Sequence, residues 1–157
     1  MKLKIYLDSS VPSAYFDENK PSRQKLTINW WDNVMFKDFE VYTSQVTIAE
    51  INGTSDTNLR GRLLRLIKSI RVLEVPEEAQ ELAKKYIDED IIPEDYLDDA
   101  LHIAIAILYQ IDILVSWNFK HLVNPVTRRG INAINMLKGY KQVDIVSPEE
   151  LGGDKYE

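Results

Sequence analysis

Short apolar segments alternate with longer segments of helical periodicity along this sequence, and that alternation constrains the fold more than any other feature. Apolar runs suited to strands occupy residues 3–7, 39–43, 71–75, 112–117 and 143–147. Strands that alternate with helices in this way usually pair in parallel within one sheet. The sequence therefore predicts an α/β domain with a parallel sheet of four or five strands.

Helical spacing of apolar residues predicts the connecting helices. One helix starts after Asp8, with Ser9 or Ser10 as its cap and Pro12 in its first turn. The others are predicted at residues 23–36, 44–52, 59–70, 76–87, 93–109 and 127–137. No long linker and no repeat interrupts these elements, so we predict a single domain over residues 1–157.

Composition narrows the class of protein. The chain has an apolar fraction of 45%, a charged fraction of 28% and no cysteine, which excludes disulfides, cysteine-bound zinc and a thiol nucleophile. Its N-terminal segment lacks the pattern of a signal peptide. The longest apolar run, residues 103–109, is far shorter than the roughly 20 residues that span a bilayer. We therefore expect a cytoplasmic protein without a membrane segment.

Charge is segregated along the chain, although the net charge is −6. Residues 74–99 hold eleven carboxylates and two lysines, whereas residues 57–73 and 113–143 each hold five basic residues and no acid. Two interpretations stay open at this point. The basic segments pair with the acidic helices, or they present a basic surface to a phosphate backbone.

Polar residues follow three predicted strands at their carboxyl ends, where parallel α/β sheets gather their ligands. Asp8 ends the first strand, and Glu50 lies in the helix directly after the second. Ser116 and Asn118 end the strand at residues 112–117. We therefore expect these side chains to converge on one edge of the sheet.

The predicted helix at residues 93–109 carries four polar groups at its start. At about 100° per residue, Asp95, Asp98, Asp99 and His102 fall on one face, ahead of a run that is apolar all round. Asp95 and Asp98 suit the positive end of the helix dipole. Asp99 is predicted in the second turn, where its burial would require a cation. His102 is predicted to be a structural hydrogen-bonding residue rather than a general base.

These carboxylates suit a hard divalent cation. Mg²⁺ and Mn²⁺ prefer oxygen ligands, and often take a few carboxylates together with water and substrate phosphates. Asp8, Glu50 and Asp99 would supply such a ligand set. The sequence therefore predicts a Mg²⁺ or Mn²⁺ site at the edge of the sheet.

The segments YLDSSV, TIAEI, DDALHIAIA and ILVSWNFKHL follow one another along the chain. In this order they resemble the motifs of the PIN domain, the fold of the VapC-type toxin nucleases. The resemblance implies a three-layer α/β/α sandwich and a metal-dependent endoribonuclease activity, with the family's three acids at Asp8, Glu50 and Asp99. It also implies that Ser10 and Ser116 are the small hydroxyl residues near the first acid and at the end of the fourth strand.

One position departs from the family pattern. Many PIN nucleases carry a fourth Asp where this chain has Asn118, whose amide can orient water but supplies no negative charge. A second metal ion would therefore need Asp95, Asp98 or a substrate phosphate. Asn118 thus keeps a second hypothesis open, in which a PIN-like domain of weak or no activity binds RNA or a protein.

The proposed substrate is RNA, hydrolysed at a phosphodiester bond. Lys120, Arg128 and Arg129, which belong to an acid-free segment, are expected to contact its backbone. Trp117 is the aromatic residue expected to stack on a base. The resemblance also implies an inhibitory antitoxin protein and a homodimer as partners.

Two other phosphate-processing classes fit less well. A haloacid dehalogenase-type phosphatase requires a second Asp two residues after the first, and Ser10 occupies that position. A receiver domain requires a phospho-accepting Asp at the end of a central strand, and neither VYTSQ nor RVLEV supplies one. The ribonuclease and the non-cleaving binding module remain.

Overall fold

Five parallel strands form one sheet in a computed structural model that describes residues 1–152. The strand order is β3-β2-β1-β4-β5, where the strands are β1 (Leu3–Leu7), β2 (Phe39–Ser44), β3 (Arg71–Leu73), β4 (Ile113–Val115) and β5 (Asp144–Val146). The predicted parallel sheet is confirmed. The predicted single domain also includes residues 153–157, which lie outside the described part of the chain.

Eight α-helices connect and flank the strands within residues 1–152. They are α1 (Ser10–Tyr15), α2 (Pro21–Trp30), α3 (Phe36–Asp38), α4 (Gln45–Asn52), α5 (Thr57–Leu66), α6 (Glu77–Asp88), α7 (Leu97–Leu108) and α8 (Pro125–Leu137). Short 3₁₀ turns occupy Glu94–Tyr96 and Pro148–Leu151. No helix in the described part of the chain is long and apolar enough to cross a membrane.

Side chains of the strands alternate between two hydrophobic cores, one on each face of the sheet. In β1, Ile5 and Leu7 belong to the core that also contains residues of α1, α2 and α5. Tyr6 belongs to the opposite core, which is built with α6, α7 and α8. Helices therefore cover both faces of the sheet, which confirms the predicted three-layer α/β/α sandwich.

Two predicted helices differ from the structure. The helix predicted at residues 23–36 changes at Trp31 into a π-helical turn, Trp31–Met35, in which Trp31 and Met35 are both buried. The helix predicted at residues 93–109 begins with the 3₁₀ turn and becomes α-helical only at Leu97. A pattern of apolar spacing does not detect such changes in helical pitch, because only a few residues are involved.

Candidate active site

The predicted acids lie at the carboxyl edge of the sheet. Asp8 directly follows β1. Glu50 lies in α4, the helix that follows β2 in the chain, and Asp99 lies in the first turn of α7. Asn118 follows β4. Strands β2 and β3 lie on one side of β1 in the sheet, and β4 and β5 lie on the other side. The four residues therefore surround the topological switch point, where α/β sheets bind their ligands.

Asp8 is held by two serine hydroxyl groups. Its Oδ1 accepts hydrogen bonds from the Ser10 hydroxyl at 2.5 Å and from the Ser10 backbone N–H at 3.1 Å. Its Oδ2 accepts one from the Ser116 hydroxyl at 2.6 Å. Ser9 occupies the cap position of α1 but makes no side-chain capping bond. Ser10 and Ser116 therefore both orient the Asp8 carboxylate, which is only 3% exposed.

Glu50 ends a buried chain of hydrogen bonds. Its Oε1 lies 2.6 Å from Nε2 of His102, and Nδ1 of His102 lies 2.6 Å from the Tyr6 hydroxyl. The Tyr6 hydroxyl in turn lies 2.6 Å from the Ser44 hydroxyl, which accepts a hydrogen bond from the Val46 N–H at the start of α4. Since a carboxylate only accepts, Nε2 of His102 donates to Glu50. His102 therefore makes a hydrogen bond from each ring nitrogen, as a structural residue would, and its role as such stays a prediction.

Burial and neighbouring negative charges raise the pKa of both aspartates, Asp8 and Asp99. Burial raises the pKa of Asp8. The pKa of Asp99 rises to about 6, first through burial and then through the negative charges of Asp8, Glu50 and Asp98. Burial by itself would lower the pKa of His102, but the hydrogen bond to Glu50 and the charges of Asp8 and Asp99 raise it. The site therefore favours an added positive charge.

Asn118 connects Asp99 to the loop that follows β4. Its Nδ2 donates to Oδ2 of Asp99 at 3.3 Å, and its Oδ1 accepts from the His121 N–H at 2.9 Å. Its own N–H donates to the Ser116 hydroxyl at 2.9 Å. An aspartate at this position would bring a like charge close to Asp99. The amide instead donates to the carboxylate, which supports the negative form of Asp99.

Asp95 and Asp98 lie at the exposed start of α7 and before it, and their accessory role stays a prediction. Because α7 begins at Leu97, Asp95 lies in the preceding 3₁₀ turn, and both acids are exposed. The same boundary places Asp99 in the first turn of α7 and leaves it partly exposed rather than fully buried. Asp98 influences Asp99 only through its charge.

The predicted RNA-contacting cations differ in their surroundings. Lys120 and Arg129 are exposed, whereas Arg128 donates from its guanidinium to the Ile145 carbonyl at 2.9 Å and so anchors α8 to β5. Within residues 1–152, no ion pair joins the basic segments 57–73 or 113–143 to the acidic segment 74–99. The interpretation in which the basic segments neutralise the acidic helices is therefore not supported.

Trp117 does not offer an open face for base stacking, contrary to the prediction. It is only 7% exposed, and its indole N–H donates to the Thr27 hydroxyl at 3.0 Å. Its burial follows from contacts with α2, where Thr27 accepts the indole hydrogen bond and the Arg23 guanidinium lies 4.8 Å from the ring centroid. Tyr6 was not predicted as part of the site, although a tyrosine on the core-facing side of a strand needs a hydrogen-bond partner for its hydroxyl.

The donor set suits a metal held partly by water and substrate. Within residues 1–152, no three Asp, Glu or His side chains form a ready-made metal cluster. Mg²⁺ commonly binds through one or two carboxylates and completes its shell with water and phosphate oxygens. Asp8 and Asp99 fit this mode, because they are close enough for the negative charge of Asp8 to raise the pKa of Asp99. One oxygen of Glu50 is engaged by His102.

Stability of the metal-free protein should depend on Asp99 over a defined pH range. A carboxyl group with a pKa of about 6 in the folded chain and 3.8 as its ordinary value binds its proton more tightly when folded. Its stabilising contribution is therefore complete below about pH 4 and is lost as the pH rises through about 6. In EDTA, Asp99→Asn should match wild type at low pH and become relatively more stable towards neutral pH. Urea denaturation of both chains across this range measures the difference, and a constant difference would contradict the raised pKa.

The fold and the site define a three-layer α/β/α domain with carboxylates at the carboxyl edge of a parallel sheet. Comparison with known proteins assigns the family. The family model described as the PIN domain matches residues 5–118, which include Asp8, Glu50, Asp99 and Asn118. The chain belongs to the PIN domain family. No curated protein matches the sequence.

Solved structures share this fold at low sequence identity. FitAcB from Neisseria gonorrhoeae has a TM-score of 0.59 and 19% identity, with coverage of 94% of this chain and 99% of that one. VapBC-1 from nontypeable Haemophilus influenzae has a TM-score of 0.59, 15% identity and the same coverage. VapC20 from Mycobacterium tuberculosis, described as a sarcin-ricin loop cleaving toxin, has a TM-score of 0.58 and 16% identity over 75% of this chain and 92% of its own.

Proposed function

We propose that this chain is a Mg²⁺- or Mn²⁺-dependent endoribonuclease, and that it acts as the toxin of a toxin–antitoxin pair. The observation that carries the proposal is the placement of Asp8 and Asp99 at the topological switch point, with their charges close enough for that of Asp8 to raise the pKa of Asp99. Membership of the PIN family supports the reaction class. The description of VapC20 as a sarcin-ricin loop cleaving toxin supports the substrate class.

Asp8 and Asp99 would hold the metal ion, and Glu50 would contribute its second oxygen directly or through water. When bound, the ion lowers the pKa of water and offsets negative charge on the phosphoryl oxygens during hydrolysis. Ser10 and Ser116 fix the Asp8 carboxylate, and Asn118 fixes that of Asp99. These residues therefore hold the acids in place before substrate arrives, which reduces the reorganisation that the reaction requires.

Exposed cations of the acid-free segment, residues 113–143, would bind the phosphate backbone of RNA. Lys120 lies two residues beyond Asn118, and Arg129 is exposed on α8. Their contacts would supply affinity that weakens as salt rises. Arg128 is expected to contribute less to RNA binding, because its guanidinium already donates a hydrogen bond to the Ile145 carbonyl.

An RNase assay with the purified chain tests the proposal. Single-stranded RNA of mixed sequence should be cut in Mn²⁺ or Mg²⁺ and should stay intact in EDTA, because the acids alone supply no Lewis acid. Cleavage that persists in EDTA would contradict the metal mechanism. A chain that binds RNA without cutting it in either metal would instead favour the non-cleaving binding module, for which Asn118 is the supporting observation.

We also propose an antitoxin protein and a second copy of this chain as partners. Several structures with this fold are named as VapBC complexes, which supports the first. Met136 and Leu137, which are 66% and 87% exposed at the end of α8, offer an apolar surface for the second. A monomeric mass by light scattering at micromolar concentration would exclude the homodimer.

A further inference from the structure

Two aromatic rings stack between the segments that carry Asp99 and Asn118. Tyr96 ends the 3₁₀ turn before α7, and His121 lies in the loop that follows β4. The ring centroids are 4.0 Å apart, and the ring planes are inclined by 35°. Tyr96 is 42% exposed and His121 only 9%, so the histidine is the inner partner of the stack. Aromatic packing therefore joins the start of α7 to the loop.

Asn118 joins the same two segments a second time. Its Nδ2 donates to Oδ2 of Asp99 at 3.3 Å, and its Oδ1 accepts from the backbone N–H of His121 at 2.9 Å. Tyr96 lies three residues before Asp99 in the chain. The contacts therefore form a closed ring, from Tyr96 through His121 and Asn118 to Asp99 and back along the chain. Such a ring restricts how far Asp99 can move, because each contact limits the others.

Within residues 1–152, the first turn of α7 lacks the side-chain cap that usually fixes the start of a helix. Tyr96 occupies the N-cap position, but its side chain makes no capping hydrogen bond. Leu97 and Asp98, the next two residues, are exposed. The hydrogen bond from Asn118 to Asp99, at 3.3 Å, is longer than is usual for N–H···O. The stacked Tyr96 ring therefore holds this turn in place of a polar cap.

The loop that carries His121 is firmly anchored. The Asn118 carbonyl accepts hydrogen bonds from the backbone N–H groups of Leu122 and Val123, at 3.1 and 2.9 Å. The His121 carbonyl accepts one from the Thr127 hydroxyl, at 3.1 Å. Leu122 is fully buried. The histidine ring therefore sits on a fixed support, and the stack restricts the less constrained start of α7 against it.

We propose that Tyr96 and His121 are positioning residues for the proposed metal site. Their stack fixes the first turn of α7, and with it the Asp99 carboxylate, so that Asp99 can bind a divalent cation together with Asp8. Neither ring is assigned a contact with the metal ion or with RNA. The inference rests on the proposed metal-dependent function and adds a determinant that lies outside the acids. Loss of a group that orients a metal ligand typically weakens metal binding by about 10- to 100-fold.

Equilibrium binding of Mn²⁺ to the purified chain tests the stack. Electron paramagnetic resonance of the free ion gives the dissociation constant without a cleavage assay. Tyr96→Ala should raise this constant by about 10-fold or more, whereas Tyr96→Phe keeps the ring and should match wild type. His121→Ala should weaken binding as Tyr96→Ala does, although it keeps the backbone N–H that bonds to Asn118. Leu97→Ala is the matched control and should leave the constant unchanged, because Leu97 is 48% exposed and lies outside the stack.

Asp99→Asn separates failure of the stack from failure of the proposed function. If it loses Mn²⁺ binding while Tyr96→Ala and His121→Ala keep the wild-type constant, the positioning role is wrong and the metal-dependent function stands. If Asp99→Asn binds Mn²⁺ as tightly as wild type, the metal site fails and the positioning role falls with it. Urea midpoints in EDTA identify a purely structural role, since a lower midpoint with an unchanged Mn²⁺ constant would also overturn the proposal. The two alanine variants alter opposite partners of the stack, so misfolding of one leaves the other to decide.

Discussion

Replacing Asp99 with asparagine is expected to lower metal-dependent RNA cleavage by at least about 100-fold without lowering the stability of the metal-free fold. A bound metal ion supplies several kcal/mol of transition-state stabilisation, and about 1.4 kcal/mol corresponds to a tenfold change in rate. Asparagine keeps the shape of the side chain but supplies no charge. Because burial and neighbouring carboxylates raise the pKa of Asp99, the folded chain at neutral pH gains from loss of that charge. Functional sites commonly show this opposition between activity and stability.

Asp98→Asn is the matched control for this experiment. Asp98 is the neighbouring residue on α7, carries the same functional group and is exposed. It should leave cleavage close to that of wild type. Initial rates in Mn²⁺, measured together with urea midpoints in EDTA, give both quantities for each chain. Equal losses of activity in the two variants would contradict the assignment of Asp99 as the metal-binding acid.

Asp8→Asn should abolish cleavage as well, but it is less suited to this comparison. Both oxygens of Asp8 accept hydrogen bonds, from Ser10 and from Ser116. An amide presents N–H groups to one of those serines, and the Ser116 hydroxyl already accepts from the Asn118 N–H. Rearrangement of the serines therefore accompanies the loss of charge, and a stability change in Asp8→Asn would have two causes.

The second large effect is expected for His102→Ala, which should lower the free energy of unfolding by about 3 kcal/mol. The His102 side chain is 1% exposed and bonds to both Tyr6 and Glu50. Its removal leaves a cavity between α7 and β1, and it removes one hydrogen-bond partner from each neighbour. Urea denaturation followed by circular dichroism measures the change, and a midpoint equal to that of wild type would contradict the structural role.

Two smaller substitutions separate the components of this effect. Tyr6→Phe keeps the buried ring but removes the hydroxyl between Ser44 and His102, and should cost about 1–2 kcal/mol. Glu50→Gln keeps an acceptor oxygen for Nε2 of His102, so its effect on stability should be smaller again. If Glu50→Gln instead destabilises the fold as much as His102→Ala, the charge of Glu50 rather than its hydrogen bond holds α4 in place.

The structure indicates a different role for Asn118 from the one that the sequence suggested. From the motif alone, an amide in place of an acid suggested a weakened metal site. In the structure its amide group forms hydrogen bonds with Asp99 and with the backbone N–H of His121, so it joins the acidic site to the loop that follows β4. The residue that departs from the family pattern thus has a positioning role that an aspartate could not fill with the same donor.

The predictions for Asp95 and Trp117 differ from the structure because both were made from local sequence alone. Periodicity treated residues 93–109 as a single helix and therefore placed Asp95 on the same helical face as Asp99, whereas Asp95 lies in a 3₁₀ turn before α7 begins. Trp117 was expected to be available to a base because it follows the Ser116 position, but its neighbours from α2 cover it. In each case the predicted segment is correct, but the local helix type at Asp95 and the contacts of Trp117 with α2 were not predictable from apolar spacing.

Apolar periodicity and the order of the motifs determined the parallel α/β sandwich, the family resemblance and the placement of Asp8, Glu50 and Asp99 at one sheet edge. These features depend on repeating patterns and on chain order, which local sequence encodes directly. The tertiary structure alone decided the Glu50–His102–Tyr6–Ser44 chain, the raised pKa of Asp99 and the exposure of Phe119 and Tyr96. Hydrogen bonds between strand and helix, desolvation and surface exposure all depend on residues that are distant in sequence, and only folding brings those residues together.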